Sequence, residues 1–405
     1  MNAIKKTKDF LFYSFSTTFR WILISLLLGG LIGTASALFL FVLDYVTSLR
    51  SANPVLLVGL PLGGFLIGCL YYYCGGSVNK GNNLLIQEYH HPTAKIPFKM
   101  VPFVLVGTWI THLFGGSAGR EGTAVQLGGA LADQCSKLFK GSPLDRQALL
   151  LMGIAGGFAS VFGTPLAGTL FAIELMVVGR NKYNHILPLL LTAIVSHYIC
   201  LLWGISHTTY PAAVIPPLDV NTVLKISVAG IAFGLTAILF VKSTDTVSQL
   251  ASKYISYPPL RPFFGGLIII LLYYCIQDAQ FLGLGIETIV DSFAVSQPST
   301  VFLLKILFTA ITLGMGFKGG EVTPLFFIGA TLGSFLAVSL QLPIGFVASL
   351  GFVAVFAGAT KTPLACIFMS VELFGSETLI YTALCCIIAY LVSGKHSIYK
   401  FQLYL

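Results

Sequence analysis

Charge is what this chain has least of. Of its 405 residues only 9% are charged, 23 Lys and Arg against 15 Asp and Glu, where soluble domains carry about 25%. That composition excludes an ordinary water-soluble domain. The net charge of +8 does not point to nucleic acid, because the basic residues lie in loops and near the termini rather than along one face. The eight cysteines show no CxxC spacing, which argues against a disulfide framework or a zinc site. They lie in or beside apolar runs and read as small buried hydrophobes. The N-terminus lacks a short apolar core followed by a small-residue cleavage site, so no removable signal peptide is expected. No appended cytoplasmic domain is expected after the last apolar run, and no metal or cofactor is called for.

What the chain does have is apolar length. Hydrophobic residues make up 56% of it, and runs of about 20 apolar residues, enough to cross a bilayer, recur from one end to the other. The reading is an all-α polytopic membrane protein. Residues 1–20 are expected to form a short amphipathic cytoplasmic helix, with Phe10, Leu11, Phe12, Phe15 and Phe19 on its apolar side. Residues 21–394 form the transmembrane domain, opening with spans at 21–46 and 54–73, and residues 395–405 a short tail. Lys5, Lys6, Lys8 and Arg20 precede the first span and Lys395 and Lys400 follow the last. By the positive-inside rule both termini are cytoplasmic and the full crossings even in number.

Many of the remaining segments are short or broken by Gly or Pro. Non-helical backbone at membrane depth is tolerated only where it is buried in protein or lines a cavity. The breaks also repeat. Thr164-Pro-Leu-Ala-Gly-Thr-Leu-Phe-Ala-Ile-Glu174-Leu matches Thr362-Pro-Leu-Ala-Cys-Ile-Phe-Met-Ser-Val-Glu372-Leu at an offset of 198 (362 − 164). Gly119-Arg-Glu121-Gly-Thr123 matches Gly319-Gly-Glu321-Val-Thr323 at an offset of 200 (319 − 119). The chain therefore divides into repeat one, residues 21–205, and repeat two, residues 222–394. Paired broken segments in two related halves point to a transporter site at the repeat interface. The repeat alone leaves open whether the halves are inverted.

The chemistry concentrates from Gly115 to Gly129, where Arg120 and Glu121 interrupt apolar sequence. Ionisable residues within membrane segments are costly and mark functional sites by default. Glycines around them let the backbone leave helical geometry and approach an ion closely. A helix starting near Glu121 would aim free N–H groups and the positive end of its dipole into that gap. The result is an anion site with a carboxylate standing in it, so Glu121 should compete with the anion or take up a proton. Two further glycine-bounded helix starts join it: Gly81-Asn82-Asn83 and Gly320-Glu321-Val322-Thr323-Pro324.

With these motifs in this order, the chain resembles the CLC family of chloride channels and proton-coupled anion antiporters, over about residues 20–400. The family's GREGP motif appears as Gly119-Arg120-Glu121-Gly122-Thr123, its PLAG…E helix as Pro165 to Glu174, and its late loop as Gly320 to Pro324. Its C-terminal tyrosine appears as Tyr399. The resemblance implies two inverted-topology repeats of tilted, short and broken helices, a homodimer with one pathway per subunit, and residence in the inner (plasma) membrane. Where most relatives have Gly-Ser-Gly-x-Pro this chain has Gly81-Asn82-Asn83-Leu84-Leu85, so Asn82 replaces the anion-touching serine. GREGP has become GREGT, the late hydrophobic-Phe pair is Glu321-Val322, and the antiporters' inner proton-transfer glutamate is Leu175. This set is similar to the CLC-type fluoride/proton antiporters. The function implied is fluoride export in exchange for protons, with a chloride/proton antiporter or chloride channel as the alternative.

The implied site has Glu121 and Glu321 as gating and proton-coupling groups. Gly81, Asn82, Asn83, Arg120, Gly122, Thr123, Val322, Thr323 and Tyr399 would bind the anion. Fluoride is small and strongly hydrated, so its site must supply strong donors. Asn82 offers two amide N–H groups where serine offers one hydroxyl. Glu321 would repel an anion when charged, so burial should keep it neutral much of the time. Protonated, it can donate to fluoride or relay protons in place of the missing glutamate. Plainer readings exist for each: Asn82 and Glu321 as helix caps, Tyr399 as an interfacial tyrosine, Thr123 as a first-turn residue. Glu174 and Glu372 read as ties to loop N–H groups. An enzyme reading rests on Gly115-Gly116-Ser117-Ala118-Gly119 beside His112, but that elbow needs a strand–turn–helix context and sits between two apolar helices.

Overall fold

The computed structural model describes residues 2–136, 143–178, 185–211 and 214–404, with side chains from Thr18 onward except at residues 143, 144, 178 and 404. Repeat one holds α1 (Asn2–Ala52), α2 (Leu60–Cys74), α3 (Asn82–His90), α4 (Met100–Leu113), α5 (Glu121–Cys135), α6 (Pro143–Phe162), α7 (Pro165–Met176) and α8 (Ile186–Leu202). Repeat two holds α9 (Val220–Tyr254), α10 (Leu260–Ile276), α11 (Ile286–Asp291), α12 (Ser299–Gly314), α13 (Val322–Leu340), α14 (Ile344–Thr360), α15 (Pro363–Phe374) and α16 (Leu379–Val392). Among the described residues four helical stretches are long and apolar enough to cross a membrane: Thr18–Ala52, Pro54–Cys74, Val220–Tyr254 and Val322–Leu340. Most of the others are short, as the broken pattern requires. The all-α expectation holds apart from a two-residue parallel pairing of β1 (Val177–Val178) with β2 (Leu403–Tyr404).

The boundary expected after residue 20 differs from the sequence reading. No separate helix occupies residues 1–20; the backbone is helical without a break from Asn2 to Ala52, and neither Gly nor Pro occurs before Gly29 to interrupt it. The apolar side expected for residues 1–20 falls largely on side chains outside the described ones. Likewise α9 continues past the polar Lys242 and Asp245 to Tyr254, because no helix breaker lies between Gly234 and Pro258. Polar residues end a span without ending its helix.

The structure supplies the orientation that the repeat left open. Glu174, near the end of α7, accepts the Leu364 and Ala365 amides at the start of α15, at 3.0 and 2.8 Å. Glu372, near the end of α15, accepts the Leu166 and Ala167 amides at the start of α7, at 2.8 and 2.9 Å. Each helix thus ends where its counterpart begins, so the two equivalent helices run antiparallel and the halves are inverted. The orphan N–H groups of each helix start are satisfied by the other half's carboxylate.

Both halves also use one device to bring helices together. A methyl group on Gly128 of α5 would collide with the backbone carbonyl of Gly153 in α6, and one on Gly329 of α13 with that of Gly351 in α14. In lipid, where association rests on close packing, small residues at such crossings let backbones meet. Between the halves lies an aromatic core: Phe326 stacks on Phe352 at 4.1 Å, Phe162 leans on Phe326 at 4.8 Å, and Phe171 lies 6.0 Å from Phe356. The two ends of the described chain share one side, where Arg20 meets Asp145, Trp21 meets His185, and Leu403 pairs with Val177.

Candidate functional site

The loops preceding α5 and α13 meet head to head. Gly119 and Gly320 form an antiparallel bridge, with amide-to-carbonyl distances of 2.6 and 2.8 Å. Glycine is required at this contact: a methyl on Gly119 would lie 3.0 Å from the Gly320 carbonyl oxygen, and one on Gly320 would lie 2.8 Å from the Gly122 amide nitrogen. The bridge places the starts of α5 and α13 against each other, two positive dipole ends at one point. Ahead of α13, where an anion would sit, stands a carboxylate. Glu121 accepts the Thr323 amide at 3.1 Å and the Thr323 hydroxyl at 2.8 and 2.7 Å through its two oxygens. The Arg120 amide donates to it at 3.2 Å, and the Arg120 Nε lies 3.7 Å away. Glu121 is 1% exposed. Its oxygens therefore occupy the donors that a bound anion would need.

The third helix start converges on the same point. Gly81 adopts φ +55, a conformation that favours glycine, and turns the chain into α3. No side chain caps α3, so Asn82 is not acting as an ordinary N-cap. Its Oδ1 is buried without a hydrogen-bond partner, while its Nδ2 faces Gly122, where a Cβ would come within 3.3 Å of it and 3.8 Å of Glu321 Oε2. Gly122 is thus the gap through which Asn82, Glu321 and the start of α5 share one space. The far end of α3 is anchored: Glu88 accepts the Thr93 and Ala94 amides, and Arg146 reaches Glu88 at 3.5 Å and Asp133 at 2.6 Å.

A pocket of about 180 Å³ opens onto this space, lined by Gly81, Asn82, Asn83, Glu321 and Tyr399 together with Tyr71, Gln126 and Lys318. Tyr399 is 4% exposed and meets Phe171 edge-on at 6.4 Å, so it is a buried tyrosine rather than one at an interface. Glu321 is the N-cap residue of α13, and no side-chain capping bond joins it to the first turn of that helix. Three of the expected residues have other work as well. The Asn83 Oδ1 accepts the Lys400 amide at 3.0 Å and ties the C-terminal segment to α3. Thr123 shares a 2.7 Å hydrogen bond with Thr108, and Val322 is buried at the first turn of α13.

Sequence reading missed Tyr71, Gln126 and Lys318. For Lys318 a signal existed: it is a lone cation three residues before Glu321 in otherwise apolar sequence, open to the same argument that singled out Glu121. Tyr71 and Gln126 carried no such mark. Leu175, in the position of the inner glutamate, is fully buried in the hydrophobic core, and Glu174 and Glu372 tie down helix starts of the opposite half rather than loops. Ser117 shares its hydroxyl hydrogen bond with Thr309 at 2.9 Å, and the His112 ring nitrogens lie 2.8 and 3.1 Å from the Thr108 and Ala118 carbonyls. The two side chains that suggested a hydrolase are engaged separately.

Two inverted halves whose broken helices point their N-termini at a shared, carboxylate-filled gap define a polytopic membrane transport protein. Comparison with known proteins places it further. Residues 63–394 match the family model described as voltage gated chloride channel, and the chain belongs to that family, the CLC proteins. It is 48% identical over 389 residues to the "Chloride/fluoride channel protein" of Pseudomonas syringae pv. tomato, covering 95% of this chain and 86% of that one. Among solved structures, a CLC-type fluoride/proton antiporter superposes with a TM-score of 0.92 at 35% identity, covering 96% of this chain and 98% of the other. A slow cyanobacterial Cl−/H+ antiporter, at 20% identity, shares the fold with a TM-score of 0.78 and covers 92% and 94% of the two chains.

Proposed function

We propose that this protein exchanges fluoride for protons across the inner (plasma) membrane and thereby confers fluoride resistance. The observation that carries the reading is the Glu121 carboxylate seated on the Thr323 amide and hydroxyl. A charged carboxylate and an anion cannot both occupy those donors, so anion entry requires Glu121 to leave or to be neutralised. Protonation does both: a neutral carboxyl loses its charge-assisted bonds, which are roughly twice as strong as neutral ones, and departs carrying a proton. One group thereby links the two movements.

Around that gate, Gly122, Val322 and Thr323 offer backbone N–H groups, Asn82 its amide, and Arg120 a charge 3.7 Å from Glu121. Thr123 holds the first turn of α5 through Thr108, and Gly81 and Asn83 set the start of α3. Glu321 and Tyr399 line the approach. When protonated, Glu321 donates to fluoride or passes the proton on, a task that falls to it because the position beside Glu174 is the apolar Leu175. Both termini face the cytoplasm, and the protein works as a homodimer in the bilayer with one pathway per subunit. Protons and anion are the transported species, with no cofactor or nucleic acid.

The test is efflux from proteoliposomes loaded with fluoride or with chloride, read by ion-selective electrode while a pH-sensitive dye follows protons. Fluoride efflux driving proton uptake is the expected result. Chloride efflux at equal or higher rates would replace the fluoride reading with a chloride/proton antiporter, and chloride flux without proton movement with a chloride channel.

A further inference from the structure

The two loops that meet at Gly119 and Gly320 each bring one carboxylate and one cation. In the first loop Arg120 adjoins Glu121. In the second the cation is Lys318, three residues ahead of Glu321, and three features show that the fold accommodates it deliberately. Its stem passes α4 at Gly107, where a Cβ would lie 2.9 Å from the Lys318 Cβ and leave no room. Its ammonium lies 4.2 Å from the centre of the Tyr71 ring, a cation–π contact that holds the head without saturating it. And it lines the 180 Å³ pocket shared with Asn82, Glu321 and Tyr399. The other lysines buried in the membrane part are used differently: Lys305 donates to the Phe281 and Gly283 carbonyls and Lys361 to the Ser393 hydroxyl. Lys318 donates no hydrogen bond to any described residue. Its three N–H groups are left for something that enters the pocket.

We propose that Lys318 is an anion-binding residue of this pocket, setting the affinity with which fluoride is loaded before Glu121 gives way. The pocket needs such a charge. An ionised Glu321 on its wall would repel an incoming anion, and in a site of low dielectric that repulsion is strong. A cation lining the same space offsets it and leaves Asn82 and Tyr399 free to hold the anion. Lysine suits a small, strongly hydrated anion, since its ammonium is a compact point charge on a flexible stem. The proposal rests on the fluoride-exchange reading only for the identity of the anion.

The experiment is fluoride titration of the purified protein in detergent by calorimetry, followed by initial efflux rates against fluoride concentration, for wild type, Lys318→Met and Lys318→Arg. Lys318→Met should weaken fluoride binding roughly tenfold, equivalent to about 1.4 kcal/mol, and the loss should fall on the half-saturating concentration more than on the saturated rate. Lys318→Arg, which keeps the charge, should recover most of it. Equal binding constants in wild type and Lys318→Met would overturn the assignment. So would a folded Lys318→Met and Lys318→Arg that lose rate alike at every fluoride concentration, the mark of a packing role. If Lys318→Met does not fold, the wild type decides: its affinity should weaken as an inert salt is raised, and indifference to salt overturns the proposal. A wild type that binds chloride and not fluoride would refute the fluoride reading, and the same three-protein comparison with chloride would then test Lys318.

Discussion

Glu121 and Thr323 come from opposite halves of the chain, 202 residues apart, yet the Thr323 hydroxyl donates to both Glu121 oxygens, at 2.8 and 2.7 Å, and its amide donates to one of them at 3.1 Å. A carboxylate of repeat one therefore caps the start of α13 in repeat two. In the exchange proposed above, the anion would take over the donors that Glu121 leaves, so the start of α13 would not be left unsatisfied on either side of it.

Glu121→Gln tests the coupling directly. A glutamine keeps one carbonyl acceptor for Thr323 and nearly the same volume, so folding and dimerisation should survive, but it cannot carry a proton. Fluoride-driven proton uptake should fall to background in liposomes, with an unchanged elution profile in detergent. Proton pumping that persists in this variant would remove Glu121 from its role.

The carboxylates at the other helix starts should behave differently. Glu174 and Glu372 each accept two amides of a helix in the opposite half, so they are ties between halves. Glu174→Gln or Glu372→Gln turns one of those acceptors into a donor facing an N–H. Loss of such a cap costs about 0.5–2 kcal/mol, visible as a lower thermal transition in detergent, while the variants that fold should still couple fluoride to protons. Wild-type melting with abolished coupling would make them transport residues.

The glycine crossings make a third prediction. Adding a methyl at Gly329 drives it into the Gly351 carbonyl, which belongs to backbone and cannot turn aside. Gly329→Ala should lower yield and thermal stability, by the roughly 1–3 kcal/mol typical of overpacking. Gly30, with nothing within 4 Å of its would-be Cβ, is the control: Gly30→Ala should be tolerated. Equal behaviour of the two variants would mean that the α13–α14 contact is looser than described.

How much of this was legible in the sequence follows from what each feature depends on. The three helix starts around Asn82, Glu121 and Glu321 were readable because ionisable and glycine residues in apolar runs are conspicuous, and the internal repeat paired those at Glu121 and Glu321. Inversion was not readable, since Glu174 reaching Leu364 and Glu372 reaching Leu166 are contacts between distant segments. The end of α9 is not marked by polarity, because Lys242 and Asp245 interrupt the apolar run without breaking the helix; Asp245 is paired with Lys400 at 2.7 Å. Tyr71 and Gln126 carried no local mark, because their place on the pocket wall comes from packing alone.

Selectivity gives the sharpest test, because it separates residues that share one space. Asn82 and Glu321 are two of the positions where this chain departs from the pattern of most CLC relatives, and the structure brings both to Gly122. No side chain caps α3, and Glu321 makes no capping bond to the first turn of α13. Chloride is larger and less strongly hydrated than fluoride, so it needs more room and tolerates weaker donors. Asn82→Ser shortens the side chain and replaces two N–H donors by one hydroxyl, which should raise chloride flux relative to fluoride. Glu321→Ala removes a carboxyl that donates when protonated and should slow fluoride turnover at least tenfold, about 1.4 kcal/mol in the barrier. Both anions are measured for each variant in one liposome preparation, so protein yield cancels from the ratio. Wild-type fluoride rates with chloride still excluded, in both variants, would show that the anion is selected elsewhere along the pathway, and the Lys318 side of the pocket would be the next place to look.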